Sequence, residues 1–191
     1  MPVEYEATFI NIDKDQMRAR LTGLGAKLIK PEFLQKRTVF NLPAGHEIKD
    51  AWLRVRDEGD KITLSLKVVD GKSIEGQKEI CLQINDFATA VSLLEAIGCR
   101  SKAYQESKRE LWQLGEVDIT IDEWPYLEPL LEIEGPSELA VKEVTAKMKL
   151  DYTQALFCSV DEIYNMKYGV SRDQVNNHTP RITFYEPNPF I

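Results

Sequence analysis

Histidine is almost missing from this sequence: His46 and His178 are the only two in 191 residues. Neither lies in a metal-ligand spacing, which argues against a His-built metal centre, and both are expected in loops rather than at a catalytic base position. Cysteine is nearly as scarce. Cys81, Cys99 and Cys158 are far apart, so a disulfide framework and a zinc ribbon are excluded, and free thiols in a reducing compartment are expected. There is no apolar run long enough to cross a bilayer and no amino-terminal signal segment, so the chain is expected to be cytoplasmic. Positive charge is also in deficit. The 24 Lys and Arg stand against 31 Asp and Glu, a formal charge of −7, so no broad nucleic-acid surface and no membrane partner are expected. No low-complexity tract or Gly/Ser linker divides the chain, which points to one main domain.

What is present is a succession of alternating strands with a few helices between them. Asp13 followed by Gln16 has the spacing of a capping box, and Met17, Leu21 and Leu24 continue it as an amphipathic stripe ending near Gly25. Asp86 to Ile97 repeats the pattern, and Ser137 is placed to cap a third helix running to about Leu150. Strands are predicted over Phe33–Leu42, Gln77–Ile84, Tyr104–Leu114, Val117–Asp122 and Leu130–Glu134, with a hairpin over Ala51–Asp70 that turns at Glu58-Gly59-Asp60. Ser159 with Glu162 offers another capping box for a helix to about Lys167. Gly169 to Ile191, rich in Asn and Pro, is expected to be an irregular extension packed on the rest.

Parity then separates two faces on every strand. Glu4, Glu6 and Thr8 share one face of the first strand. Arg54 and Arg56 oppose Leu53 and Val55; Thr63, Ser65 and Lys67 oppose Ile62, Leu64 and Leu66. Glu79, Cys81 and Gln83 oppose Ile80, Leu82 and Ile84; Asp122 opposes Ile121; Glu132 and Glu134 oppose Leu131 and Ile133. A sheet with one wet side would alternate in the same way. The polar face here, however, concentrates paired carboxylates and paired guanidinium groups, residue types suited to holding a polyanion together with a hard cation. Trp52 and Trp112 are expected to pack, and Asp57 to Asp60 to form a hairpin turn rather than a calcium loop.

The ordered set Glu4-x-Glu6, Leu53-Arg54-x-Arg56, Lys67, Glu79, Arg109, Ile121-Asp122-Glu123 and Leu131-Glu132-x-Glu134 resembles the motifs of the CYTH superfamily of triphosphate tunnel metalloenzymes. That group includes class IV adenylyl cyclases, thiamine triphosphatases and inorganic tripolyphosphatases. The resemblance implies an α+β fold: an eight-stranded antiparallel closed barrel, the triphosphate tunnel, with flanking helices, over residues 1–168, with residues 169–191 as the extension. It implies Mg²⁺ or Mn²⁺ held by Glu4, Glu6, Glu132 and Glu134, with Asp122 and Glu79 in support. Arg54, Arg56, Lys67 and Arg109 would bind the triphosphate, and Glu4, Glu6, Lys67, Arg54 and Arg56 would carry the catalysis. Two positions depart from the family pattern: Thr8 stands where E-x-E-x-K has lysine, and Ser107 where a lysine often precedes the arginine at 109. The expected activity is metal-dependent hydrolysis of a small triphosphate by a monomer or homodimer. Adenylyl cyclase action on ATP, or triphosphate sensing without turnover, are the alternatives.

Overall fold

The structure, a computed structural model, describes residues 1–191. In chain order its elements are β1 (Tyr5–Phe9), α1 (Lys14–Gly23), β2 (Lys27–Asn41), β3 (Ala51–Asp57), β4 (Ile62–Val69), β5 (Gln77–Ile84), α2 (Phe87–Ala96), β6 (Arg100–Leu114), β7 (Val117–Glu123), β8 (Leu130–Gly135), α3 (Glu138–Lys147), α4 (Val160–Tyr168), α5 (Arg172–Asn177) and β9 (Arg181–Ile182). Four helices start where a side chain can satisfy a free backbone N–H: Asp13 accepts from Gln16, Asp86 from Thr89, Ser137 from Ala140 and Ser171 from Gln174. Ser159 does not cap α4 in this way, because its hydroxyl donates to Asp161 instead. Strand β2 begins at Lys27, well before the expected Phe33, and runs through Pro31, with register shifts on both sides of Lys30 that absorb the misfit.

Eight strands form an antiparallel sheet in the order β1-β8-β7-β6-β2-β3-β4-β5, and β9 adds a short parallel pairing to β6. The expected closed barrel is not what forms. The sheet is an open half-barrel, because the β1 and β5 ends meet at only one isolated bridge, Val3 with Lys78. Two hydrogen bonds support that contact: Glu4 N–H donates to Gln77 O at 2.9 Å and Glu79 N–H to Pro2 O at 3.3 Å. Further along, the free edge of β1 is already taken. Thr8 exchanges hydrogen bonds of 3.0 and 2.9 Å with Leu156, so β5 has no continuous edge to zip against.

Helices cover the outer, apolar face of the sheet over β1, β3, β7 and β8, whereas Ile80 and Leu82 on β5 stay exposed. Ala7, Phe9, Ile119, Ile121, Leu131 and Ile133 pack against Met17 and Leu21 of α1 and against Val141, Val144 and Met148 on and just after α3. Helix α2 seats Ala90 and Leu94 on Phe40 and Val55. The carboxyl-terminal segment builds its own cluster, in which Tyr164, Val175, Ile182 and Phe190 enclose Trp124. The charged side chains of the opposite face are left on the concave side. No helix is long and apolar enough to cross a membrane.

The turn into β5 is the tightest point of the chain. A Cβ on Gly76 would lie 2.1 Å from the carbonyl oxygen of Asp70, and that residue has little slack because Asp70 N–H donates to Gly76 O at 2.8 Å. Gly76→Ala is expected to cost about 1–3 kcal/mol of unfolding free energy, as overpacking does, measurable by urea denaturation. An unchanged midpoint would show that this turn relaxes freely.

Candidate functional site

The concave face lines a cleft of about 540 Å³. Its walls come from strands distant in sequence. Glu6 arrives on β1 with Glu4 just ahead of it, Arg54 and Arg56 on β3, Lys67 on β4, Glu79 on β5, Arg109 on β6, and Glu132 and Glu134 on β8. Of the ten residues singled out from the sequence, only Asp122 is not on the cleft wall. It lies just behind, 1 % exposed, and accepts from Arg109.

On the basic side, the arginines are held by carboxylates. Arg109 Nε donates to Asp122 Oδ1 at 2.7 Å, and its Nη2 donates to Asp122 Oδ2 and, at 2.6 Å, to Glu132 Oε2. Arg54 Nη2 donates to Glu79 Oε1 at 3.0 Å, and Arg56 Nη2 lies 2.7 Å from Glu58 Oε1. Burial alone would raise the Glu79 carboxyl, but Arg54, Lys67 and hydrogen bonds with Glu4 and Ser65 together outweigh it and bring Glu79 down to about 2. Burial beside Arg54 and Arg109 lowers Arg56 to about 10. The Nε atoms of Arg54 and Arg56 are buried without an acceptor.

The acidic side is less well compensated. Lys67 Nζ stands 2.9 Å from Glu4 Oε2 and 3.8 Å from Glu6 Oε1. Glu4 Oε2 nevertheless lacks hydrogen-bond geometry to any donor. Glu6 is directly opposite Glu134 in the β1–β8 register, and Thr8 is directly opposite Glu132. Like charges so placed destabilise a sheet unless something neutralises them. Burial is the main cause that lifts Glu6 to about 8, Lys67 opposes it, and Glu132, Glu134 and Glu4 add to it. Burial likewise lifts Glu4 to about 7 against the pull of Lys67.

These donors are the hard oxygen type that Mg²⁺ or Mn²⁺ prefers, and the facing pair Glu6 and Glu134 is an arrangement that a divalent cation would relieve. As they stand, no three acidic, histidine or cysteine side chains gather at ligand spacing. Glu4 leans on Lys67 and Glu132 on Arg109.

Parity reasoning on β2 would also have identified Arg37, which was not among the expected residues. It shares a face with Gln35 and Val39, is 4 % exposed, and lines the cleft. The adjacent Lys36, on the opposite face, masks it in the sequence. A second unexpected group comes from the carboxyl-terminal helices. At the cleft mouth, buried Asp161 accepts from Arg172 Nε and Asn176 Nδ2, each at 2.7 Å, and from Ser159. Nothing in the aperiodic tail sequence signals this cluster. Trp52 lines the cleft, whereas Trp112 is core and His46 and His178 are exposed.

A family model described as the CYTH domain matches residues 3–163. A candidate adenylate cyclase of Methanocaldococcus jannaschii is 26 % identical over 160 residues, covering 82 % of this chain and 90 % of that protein. Among solved structures, a candidate adenylate cyclase from Vibrio parahaemolyticus superposes with a TM-score of 0.72 at 14 % identity, covering 84 % of this chain and 97 % of that one. A Hippeastrum candidate adenylyl cyclase, described as having a dominant triphosphatase activity, superposes at 0.55 with 15 % identity, covering 88 % and 97 %.

Proposed function

This chain belongs to the CYTH domain family, and from that premise we propose that it is a metal-dependent phosphohydrolase that binds a small triphosphate in the half-barrel cleft. The observation that carries the reading is the segregation of charge within one cleft, arginines on β3 and β6 facing a cluster of carboxylates on β1 and β8. A polyanion and a divalent cation together satisfy both sides, and neither does so alone.

Arg54, Arg56 and Arg109 bind the phosphate oxygens through planar N–H forks. Glu79 orients Arg54, while Asp122 and Glu132 orient Arg109, so the donors are fixed before substrate arrives and need no rearrangement as charge develops. Lys67, between the carboxylates and the arginines, stabilises the terminal phosphoryl group in flight. Glu6 and Glu134, with Glu4 and Glu132 beside them, would hold Mg²⁺ or Mn²⁺, which supplies Lewis acidity and neutralises phosphate charge. Water adds to the terminal phosphorus as the bridging P–O bond breaks, its proton passes to the phosphate oxygens, and orthophosphate and the shortened diphosphate product are released.

Phosphorus NMR of the full chain with tripolyphosphate, thiamine triphosphate or ATP, each with Mg²⁺ or Mn²⁺, tests this. Orthophosphate released from at least one of the three is the expected result. Pyrophosphate with cyclic AMP from ATP would replace the reading with a cyclase, and metal-dependent binding without any product would replace it with a sensor.

A further inference from the structure

Four guanidinium groups meet on the sheet wall of the cleft, and three of them have carboxylate partners: Arg54 with Glu79, Arg56 with Glu58, Arg109 with Asp122 and Glu132. Arg37 makes no ion pair. Its hydrogen bonds both leave from Nη2, to Gln35 Oε1 at 2.8 Å and to Ser107 Oγ, and both acceptors are neutral. Its guanidinium carbon stands 4.3 Å from the centre of the Trp124 ring. Its Nε is buried with no acceptor at all. In the β2–β3 register Arg37 is directly opposite Arg56, so two buried cations face each other across adjacent strands.

An uncompensated buried charge is costly, and a facing like charge makes it costlier. Burial, with Arg54, Arg56 and Arg109 around it, holds Arg37 well below the ordinary arginine pKa, as expected of a cation lacking its counter-ion. The neutral acceptors and the indole face fix the position of the group without discharging it. Each of its three neighbours has a carboxylate partner, and Arg37 has none.

We infer that Arg37 is a direct binding residue for the triphosphate, its free guanidinium edge and the facing Arg56 forming a clamp on one phosphate group. The inference rests on the functional reading above and adds to it a residue that neither the family match nor the motif spacing assigns. Ser107 is part of the device. Small and neutral, it accepts from Nη2 of Arg37 without consuming its charge.

Calorimetric titration of the full chain with tripolyphosphate tests it. Arg37→Gln is expected to weaken binding about 10- to 100-fold, the range for a lost charge-assisted hydrogen bond. Its melting temperature without ligand should equal or exceed that of the wild type, because an unpaired charge has been removed. Arg37→Lys should recover only part of the affinity, since a point charge does not reproduce the fork. Affinity within twofold of wild type in Arg37→Gln overturns the inference while leaving the functional reading standing; no wild-type binding of tripolyphosphate, thiamine triphosphate or ATP with Mg²⁺ or Mn²⁺ overturns both. If Arg37→Gln melts early, the wild-type spectrum decides. The Nε–H resonance that Arg37→Lys removes should shift on saturation with tripolyphosphate, and an unmoved resonance overturns the inference.

Discussion

Glu6→Gln is expected to lower triphosphate turnover on the order of 100-fold or more, the scale seen when one charged group acting on the transition state is removed. The same change should leave the ligand-free protein at least as stable as wild type. Glu6 is 8 % exposed and stands opposite Glu134, so neutralising it relieves repulsion, while Lys67 keeps its closer partner Glu4 at 2.9 Å. The two effects separate function from folding. A thermal shift on adding Mg²⁺ or Mn²⁺ should be present in the wild type and largely lost in Glu6→Gln. Full turnover together with an intact metal shift in this variant would show that the β1 carboxylates are not the metal-binding group.

Arg109→Met acts in the opposite sense, and its largest effect is on the fold. Asp122 is 1 % exposed, and its two carboxylate oxygens both accept from Arg109. Removing the guanidinium strands a carboxylate inside the sheet, which typically costs about 3–5 kcal/mol. Glu132 loses its ion-pair partner in the same step. Urea unfolding at neutral pH should therefore show a large loss for Arg109→Met and a smaller one for the double variant Arg109→Met/Asp122→Asn, in which Asp122 carries no stranded charge. Equal losses in the two proteins would mean that the destabilisation comes from lost packing of the arginine stem rather than from the abandoned charge.

Much of this arrangement is legible in the amino-acid sequence, for a physical reason. Strand side chains alternate, so the identity of Arg54 and Arg56 against Leu53 and Val55, or of Glu132 and Glu134 against Leu131 and Ile133, decides which face each strand buries. Val55, Leu131 and Ile133 are indeed fully buried under helices, and the charged residues line the cleft. The capping residues Asp13, Asp86 and Ser137 are read equally directly, because their role is local.

What is not local is not legible in the same way. Alternation says nothing about whether the first and last strands of a sheet meet, and closure here is prevented by Leu156, a loop residue with no periodic signal, which occupies the edge of β1 at Thr8. The early start of β2 depends on register shifts that let Pro31 pass, and proline in a sequence reads as a stop. Arg37 is hidden by its basic neighbour Lys36, and only their different depths in the fold distinguish them. Ser159 has the spacing of a cap, yet Asp161 and Arg172 draw its hydroxyl elsewhere.

The strand order also dictates a sequence of events in time. β1 pairs with β8, Tyr5 opposite Gly135 and Glu6 opposite Glu134, so the two carboxylate-bearing strands are separated by most of the chain. A chain leaving the ribosome at about 5–20 residues per second must hold β1 unpaired until nearly all the other strands have emerged. Hairpins such as β3–β4 and β6–β7 can form early from neighbouring sequence, whereas joining β1 to β8 closes a very long loop and belongs to the slow steps. The acidic half of the cleft is consequently assembled last, on a basic half already in place, and the repulsion between Glu6 and Glu134 is met only at the end of folding.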